Sequence, residues 1–364
     1  MIKVGQIYDY INAIAPFSLS SKDDNSGLLV GARDCEVNKI LVSLDITKDI
    51  AVEAVNTGAQ LVISHHPVIY HPLYNLNSNN PAIILSKNDI SAICAHTNLD
   101  VFNGGISDIM IDMLGMKKTS QILEVSYEEA YYQMTVFVPE ESRETVFNAM
   151  TNAGAGTLDD YSGCAFYTEG TGTFLPLDGA DPYIGKVGVR ETVREVRLEM
   201  IVPHEKRSAV IQAMLDAHPY EKPAYCLSRN EAIIDKKGYG RICELENPLS
   251  PDQLAELIKD TFGNKVVRFN NTGKLIKRVA VCSGGGGGLF RNALSLGADA
   301  YITGDVKHDQ FIDAQNYGLA VFDAGHYHTE NIVVKFLIDK LADAFPEIEI
   351  SQAKENHDPV CYKF

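Results

Sequence analysis

Short apolar runs, each followed by a stretch with helical spacing, recur at both ends of the chain. Residues 39–44, 60–64 and 90–95 read as strands, with helices expected over 47–57 and 81–87. The alternation returns near the C-terminus, where 278–282, 299–303 and 319–322 are strand-like and the segments between them helical. Apolar strands separated by helices predict an α/β fold with a mixed, mainly parallel sheet flanked by helices.

Between these halves the pattern changes to an internal repeat at an offset of 64 positions. Met134 to Pro139 aligns with Leu198 to Pro203, and Arg143, Val146, Ala149 and Met150 align with Arg207, Val210, Ala213 and Met214. Each copy predicts a strand ended by Val-Pro and an amphipathic helix. Two copies joined by a Gly- and Tyr-rich stretch, 154–188, predict a β-α-β-β-α-β ferredoxin-like α+β insert over 126–235. Residues 1–125 and 236–364 then form one discontinuous domain.

Composition narrows the function. Asp and Glu total 48 against 32 Lys and Arg, a formal net charge of -16 that repels phosphate backbones and argues against a nucleic-acid partner. No apolar run reaches the length of a membrane span, so a cytoplasmic protein with no membrane association is expected. Seven cysteines without C-x-x-C spacing read as buried, reduced thiols.

Histidine is scarce, ten in all, yet three strand-terminal segments hold five of them. His65-His66-Pro67 follows one strand, His96 and Asp100 follow another, and His326, His328 and Glu330 follow a third. The carboxyl ends of strands in open α/β sheets form the ligand-binding edge, so imidazoles and carboxylates can converge there on metal ions. A turn at Pro67 would splay His65 and His66 toward two ions, since strand neighbours point to opposite faces. If Gly325 opens a helix, His326 and Glu330 share one face. Asp100 or Glu330 can bridge two cations, whereas His96 and His328 suit outer hydrogen-bonding roles. Mixed nitrogen and oxygen donors accept zinc, manganese, iron, cobalt or nickel. Asp305 and His308, after the strand at 299–303, are candidate proton carriers or substrate contacts, with a structural turn as the alternative. Residues 284–288, five consecutive glycines, can cradle a phosphate or form a plain turn.

Taken together, residues 24–31, His65-His66-Pro67, the 96–100 segment, Gly304-Asp305 and the 325–330 segment resemble the GTP cyclohydrolase I type 2 homologues, the Nif-three-like family. The middle segment, with His218-Pro219-Tyr220-Glu221, is similar to the PII and CutA proteins. The resemblance implies two divalent metal ions per subunit, zinc foremost, held by His65, His66, Asp100, His326 and Glu330. It also implies a homohexamer, a trimer of dimers, with the metals facing a central cavity. The expected function is metal-dependent hydrolysis of a nucleotide or related small molecule. His96, Asp305 and His308 are the catalytic candidates, and Lys307 with the glycine run are possible phosphate contacts. The alternative is a non-catalytic metal-binding or regulatory oligomer.

Overall fold

The computed structural model describes residues 1–158 and 160–363 of the chain. They divide into two compact units, Met1–Ser126 with Lys237–Phe364, and Tyr127–Lys236. The chain passes between them inside two long strands, Lys117–Pro139 and Tyr225–Leu249.

The first unit contains two sheets built on parallel pairing. In one, Glu349–Gln352, Lys39–Ser43, Leu61–Ser64 and Ser91–Cys94 run parallel, and Gly27–Val30 closes the edge antiparallel. In the other, Ile276–Val281, Ala300–Thr303 and Ala320–Asp323 are parallel. Arg268–Phe269 and the 241–249 stretch lie antiparallel at their flanks. Alternate residues of these strands enter different cores. Ile40, Val42, Leu61, Ile63 and Ile93 pack in one cluster, while Leu41, Val62 and Ala92 pack in another. Both faces are therefore covered, as continuous apolar strands require.

Local chemistry sets the helices between these strands. Thr47 caps Lys48–Thr57 by accepting from the Ile50 N–H, and Gly58 ends that helix in the left-handed region. Asn80 caps Pro81–Lys87, with Pro81 at the first helical position. Ser250 and Gln253 form a capping box on Pro251–Phe262.

Within the second unit, strands and helices alternate as β-α-β-β-α-β, with helices Arg143–Asn152 and Arg207–Ala217. The strand order is Tyr225–Leu249, Lys117–Pro139, Glu191–Val202, Ala165–Phe174, and Glu191–Val202 is antiparallel to both its neighbours. The repeated apolar positions share one core, in which Val146, Met150, Val210 and Met214 pack on Met134, Val136, Leu198 and Met200.

Among the described residues no helix is long and apolar enough to cross a membrane. The cysteines are all free, but only Cys94, Cys243 and Cys282 are buried. Cys226 and Cys361 are exposed, which corrects the expectation of uniformly buried thiols.

Candidate metal centre

The C-terminal ends of both sheets of the first unit supply one cluster of side chains. His65 and His66 follow Leu61–Ser64, and His96 follows Ser91–Cys94, opening the short helix Thr97–Val101 that carries Asp100. The second sheet contributes His326 and Glu330 from the helix His326–Glu330, one turn apart, with Gly325 at its N-cap.

Glu330 is the hub. Its Oε2 lies 2.9 Å from His66 Nε2 and 2.8 Å from His326 Nε2, and its Oε1 lies 4.0 Å from His65 Nε2. Asp100 Oδ1 is 3.8 Å from His65 Nε2 and accepts from Ser283 Oγ. Two donor triplets result, His65 with Asp100 and Glu330, and His66 with His326 and Glu330; in each, ligand atoms lie within 4.8 Å of one another. A third triplet joins His65, His66 and His96. Gly284 makes room for the hub, because a Cβ there would stand 1.8 Å from Glu330 Oε1.

Every imidazole in the cluster is anchored through Nδ1. His65 Nδ1 donates to the Ala95 carbonyl, His66 Nδ1 to Asp45, His96 Nδ1 to Asp24 and His326 Nδ1 to Asp305. Occupying Nδ1 in this way aims Nε2 at the centre and fixes the tautomer that a ligand needs. Asp305 adopts φ 53°, a left-handed conformation, and thereby turns its carboxylate to His326.

The charge distribution calls for cations. Burial drives the His65 imidazole down to about 3, so it is neutral, and its fully buried Nε2 has no hydrogen-bond partner. His66 is raised to about 10: burial opposes protonation, but Asp45 and Glu330 outweigh it. Glu330 and Asp305 raise His326 to about 9. Burial favours protonated Glu330, yet the hydrogen bonds from His326 and His66 and the surrounding charge hold it well below the usual carboxylate range. Burial and Glu330 push Asp100 up. Protons on His66 and His326 thus satisfy a demand for positive charge that divalent ions meet equally well.

A cavity of about 400 Å³ opens beside this cluster, lined by His96, Asp100, Tyr239, Ser283, His326 and Glu330 among others. Burial lifts the Tyr239 phenol to about 12, with Asp100 adding, so it stays a hydrogen-bond donor. Three of the glycines at 284–288 also border the cavity.

The five ligand candidates from the sequence are thus brought together, and His96 stands nearer than an outer role requires. Two candidates are not brought in. His308 is exposed at the start of the helix His308–Tyr317, because its side chain is carried past the strand end by the turn at 304–307. His328 turns to Asp358, with Nε2 at 3.5 Å, since two positions along a helix is the wrong spacing to share the face of His326 and Glu330. Asp305 contacts His326 rather than standing free as a proton carrier, and Lys307 is exposed at a helix N-cap. Asp24 opens the 24–31 segment but was given no role, and Asp45 and Tyr239 were missed, although Asp45 directly follows the strand end 39–44.

Comparison with known proteins places this geometry in context. Residues 2–359 match the family model described as Duf34/NIF3 (NGG1p interacting factor 3). A "GTP cyclohydrolase 1 type 2 homolog" of Bacillus subtilis is 38% identical over 341 residues, covering 92% of this chain and 91% of the relative. Its namesake in Halalkalibacterium halodurans is 36% identical over 359 residues, covering 96% and 95%. A Bacillus cereus protein related to NIF3 superimposes with a TM-score of 0.88 at 34% identity, covering 99% of both chains.

Proposed function

The chain belongs to the Duf34/NIF3 (NGG1p interacting factor 3) family, and from that premise we propose that it is a dinuclear metal-dependent hydrolase acting on a nucleotide or related small molecule. The observation that carries the reading is the buried, unpartnered His65 Nε2, aimed at Asp100 and Glu330 beside an open cavity. An orphaned buried acceptor is costly unless a ligand completes it.

In this reading His65, Asp100 and Glu330 would hold one divalent ion and His66, His326 and Glu330 the other, with Glu330 common to both sets. Zinc is the first choice, and manganese, iron, cobalt or nickel fit the same donors. When bound, two such ions supply Lewis acidity and make a water acidic enough to ionise near neutral pH. The protein's own groups do the rest. His96, held by Asp24, presents Nε2 to take or return a proton, and the Tyr239 hydroxyl donates to an oxygen of the substrate. Asp45 and Asp305 keep His66 and His326 in register. The names of the curated relatives make GTP the first substrate to try.

The proposal extends to organisation. Residues 126–235 form a ferredoxin-like insert of the PII and CutA type, supported by the strand order and antiparallel pairing of 127–236. The cytoplasmic protein assembles as a homohexamer, a trimer of dimers. The test of function is a hydrolysis screen of the metal-loaded full chain, the chelated chain and Glu330→Gln against GTP, other nucleotides and phosphoesters. Turnover in the metal-loaded chain alone is expected. A fully loaded protein that turns over none of them would point to a non-catalytic metal-binding or regulatory oligomer.

A further inference from the structure

A second cavity, of about 620 Å³, lies wholly within residues 137–224 and shares no residue with the metal centre. Tyr220 and Glu221 of the His218-Pro219-Tyr220-Glu221 motif line it, and His218 supports Tyr220 from behind. The His218 side chain is buried, and burial holds its imidazole below the usual value and therefore neutral. Its Nε2–H donates to the Phe137 carbonyl at 2.9 Å, and its Nδ1 accepts from the Tyr220 backbone N–H at 3.1 Å. Both ring nitrogens are consumed in placing Tyr220, whose ring packs 5.1 Å from the imidazole.

Tyr220 in turn places a carboxylate. Its hydroxyl donates to Glu195 Oε1 at 2.8 Å, and burial together with that carboxylate raises the phenol, so Tyr220 remains the donor. The second oxygen, Oε2, lies over Gly172 on the strand Ala165–Phe174, where a Cβ would come within 2.1 Å of it. A side chain at this position would displace the carboxylate from where it lies. The rings of Phe174 and Tyr183 line the same cavity as Glu195, with centroids 6.0 and 6.3 Å from that of Tyr220. Arg197 lines the same cavity but is tied to Glu199 at 2.8 Å. Among the described residues no Lys or Arg ion-pairs with Glu195. Lys222, on the cavity rim, is exposed and neighbours Glu221.

Three aromatic rings thus line the cavity beside a carboxylate that no Lys or Arg ion-pairs among the described residues. A ring attracts a cation within about 6 Å of its centroid, quaternary ammonium groups included. Apolar walls with a few fixed polar groups, in a volume of this size, characterise small-molecule sites. We propose that this cavity binds a small organic molecule bearing an ammonium group, which sits against Glu195 between Phe174, Tyr183 and Tyr220. The site is independent of the metal chemistry.

The experiment is isothermal titration of the full-length protein with choline and with 3,3-dimethylbutan-1-ol, its uncharged isostere. Choline is expected to bind once per chain and at least tenfold more tightly than the alcohol. Glu195→Gln should weaken choline at least tenfold and leave the alcohol unchanged, with metal content unaltered. Tyr183→Ala, at a ring more than half exposed, should also weaken choline and serves as the readout if Glu195→Gln fails to fold. Equal affinity for the two probes overturns the proposal, as does choline binding indifferent to both substitutions. Absence of choline binding at millimolar concentration overturns it too. If that absence accompanies dissociation of an oligomer by Tyr183→Ala, the cavity belongs to a contact between copies of the chain.

Discussion

Replacing Glu330 with Gln keeps the shape of the hub and removes its charge. Glu330 is 5% exposed, accepts from His66 at 2.9 Å and His326 at 2.8 Å, and is the only carboxylate common to two of the three donor triplets. Losing an outer hydrogen-bond partner of a metal ligand costs roughly 10–100-fold in affinity. Loss of a charged ligand itself is expected to reach at least the upper figure at each ion, or about 2.8 kcal/mol per ion at about 1.4 kcal/mol per tenfold. At free metal about ten times the wild-type Kd, a site roughly nine-tenths full then falls to about one-tenth. The assay is competition for zinc against a chromophoric chelator, with elemental analysis of the dialysed protein, and His328→Ala as the control. Wild type and His328→Ala should retain two equivalents and Glu330→Gln close to none. Equal retention in all three proteins would refute the role of Glu330 as a shared ligand.

Asp45→Ala and Asp305→Ala, which free the Nδ1 atoms of His66 and His326, should each weaken zinc about 10–100-fold, whereas His308→Ala should change nothing; the same competition assay compares them. Metal binding should release protons at pH 7, because His66 and His326, raised to about 10 and about 9, are protonated there and must lose those protons to coordinate. Affinity should therefore fall as pH is lowered; calorimetry in buffers of different ionisation enthalpy reads the protons, and release of none contradicts the assignment. Light scattering should give a hexamer, and a monomer of 40.0 kDa at micromolar concentration would overturn that assembly. Exchange of residues 126–235 for a short Gly-Ser linker should leave a folded chain with its full metal content; a folded chain without metal would mean that the insert supplies ligands.

The parts of the centre legible in the sequence were those fixed by strand ends and helix spacing. His65 and His66 follow a continuous apolar strand, and the four-residue step from His326 to Glu330 needs only a helix opened by Gly325. The outer carboxylates were not legible, because Asp24 reaches His96 from 72 positions away and Asp45 reaches His66 from 21, separations with no sequence period. His308 failed as a candidate for a related reason. It follows a strand, but the turn through Asp305 spends the strand end on the His326 contact and leaves His308 on an exposed helix. The glycine run was read as a phosphate cradle or a plain turn; the structure adds a packing reason for Gly284, the approach of Glu330. In the second unit the offset of 64 was legible since both copies feed one core, while the pairing of Tyr220 with Glu195 depends on tertiary placement of the motif.

The central claim is two ions sharing Glu330, and an anomalous difference map from crystals of the zinc-loaded protein tests it most directly. Two peaks are expected, one among His65, Asp100 and Glu330 and one among His66, His326 and Glu330, with a Glu330 oxygen within coordination distance of each. A single peak, or a second peak held by His65, His66 and His96 without Glu330, would contradict it.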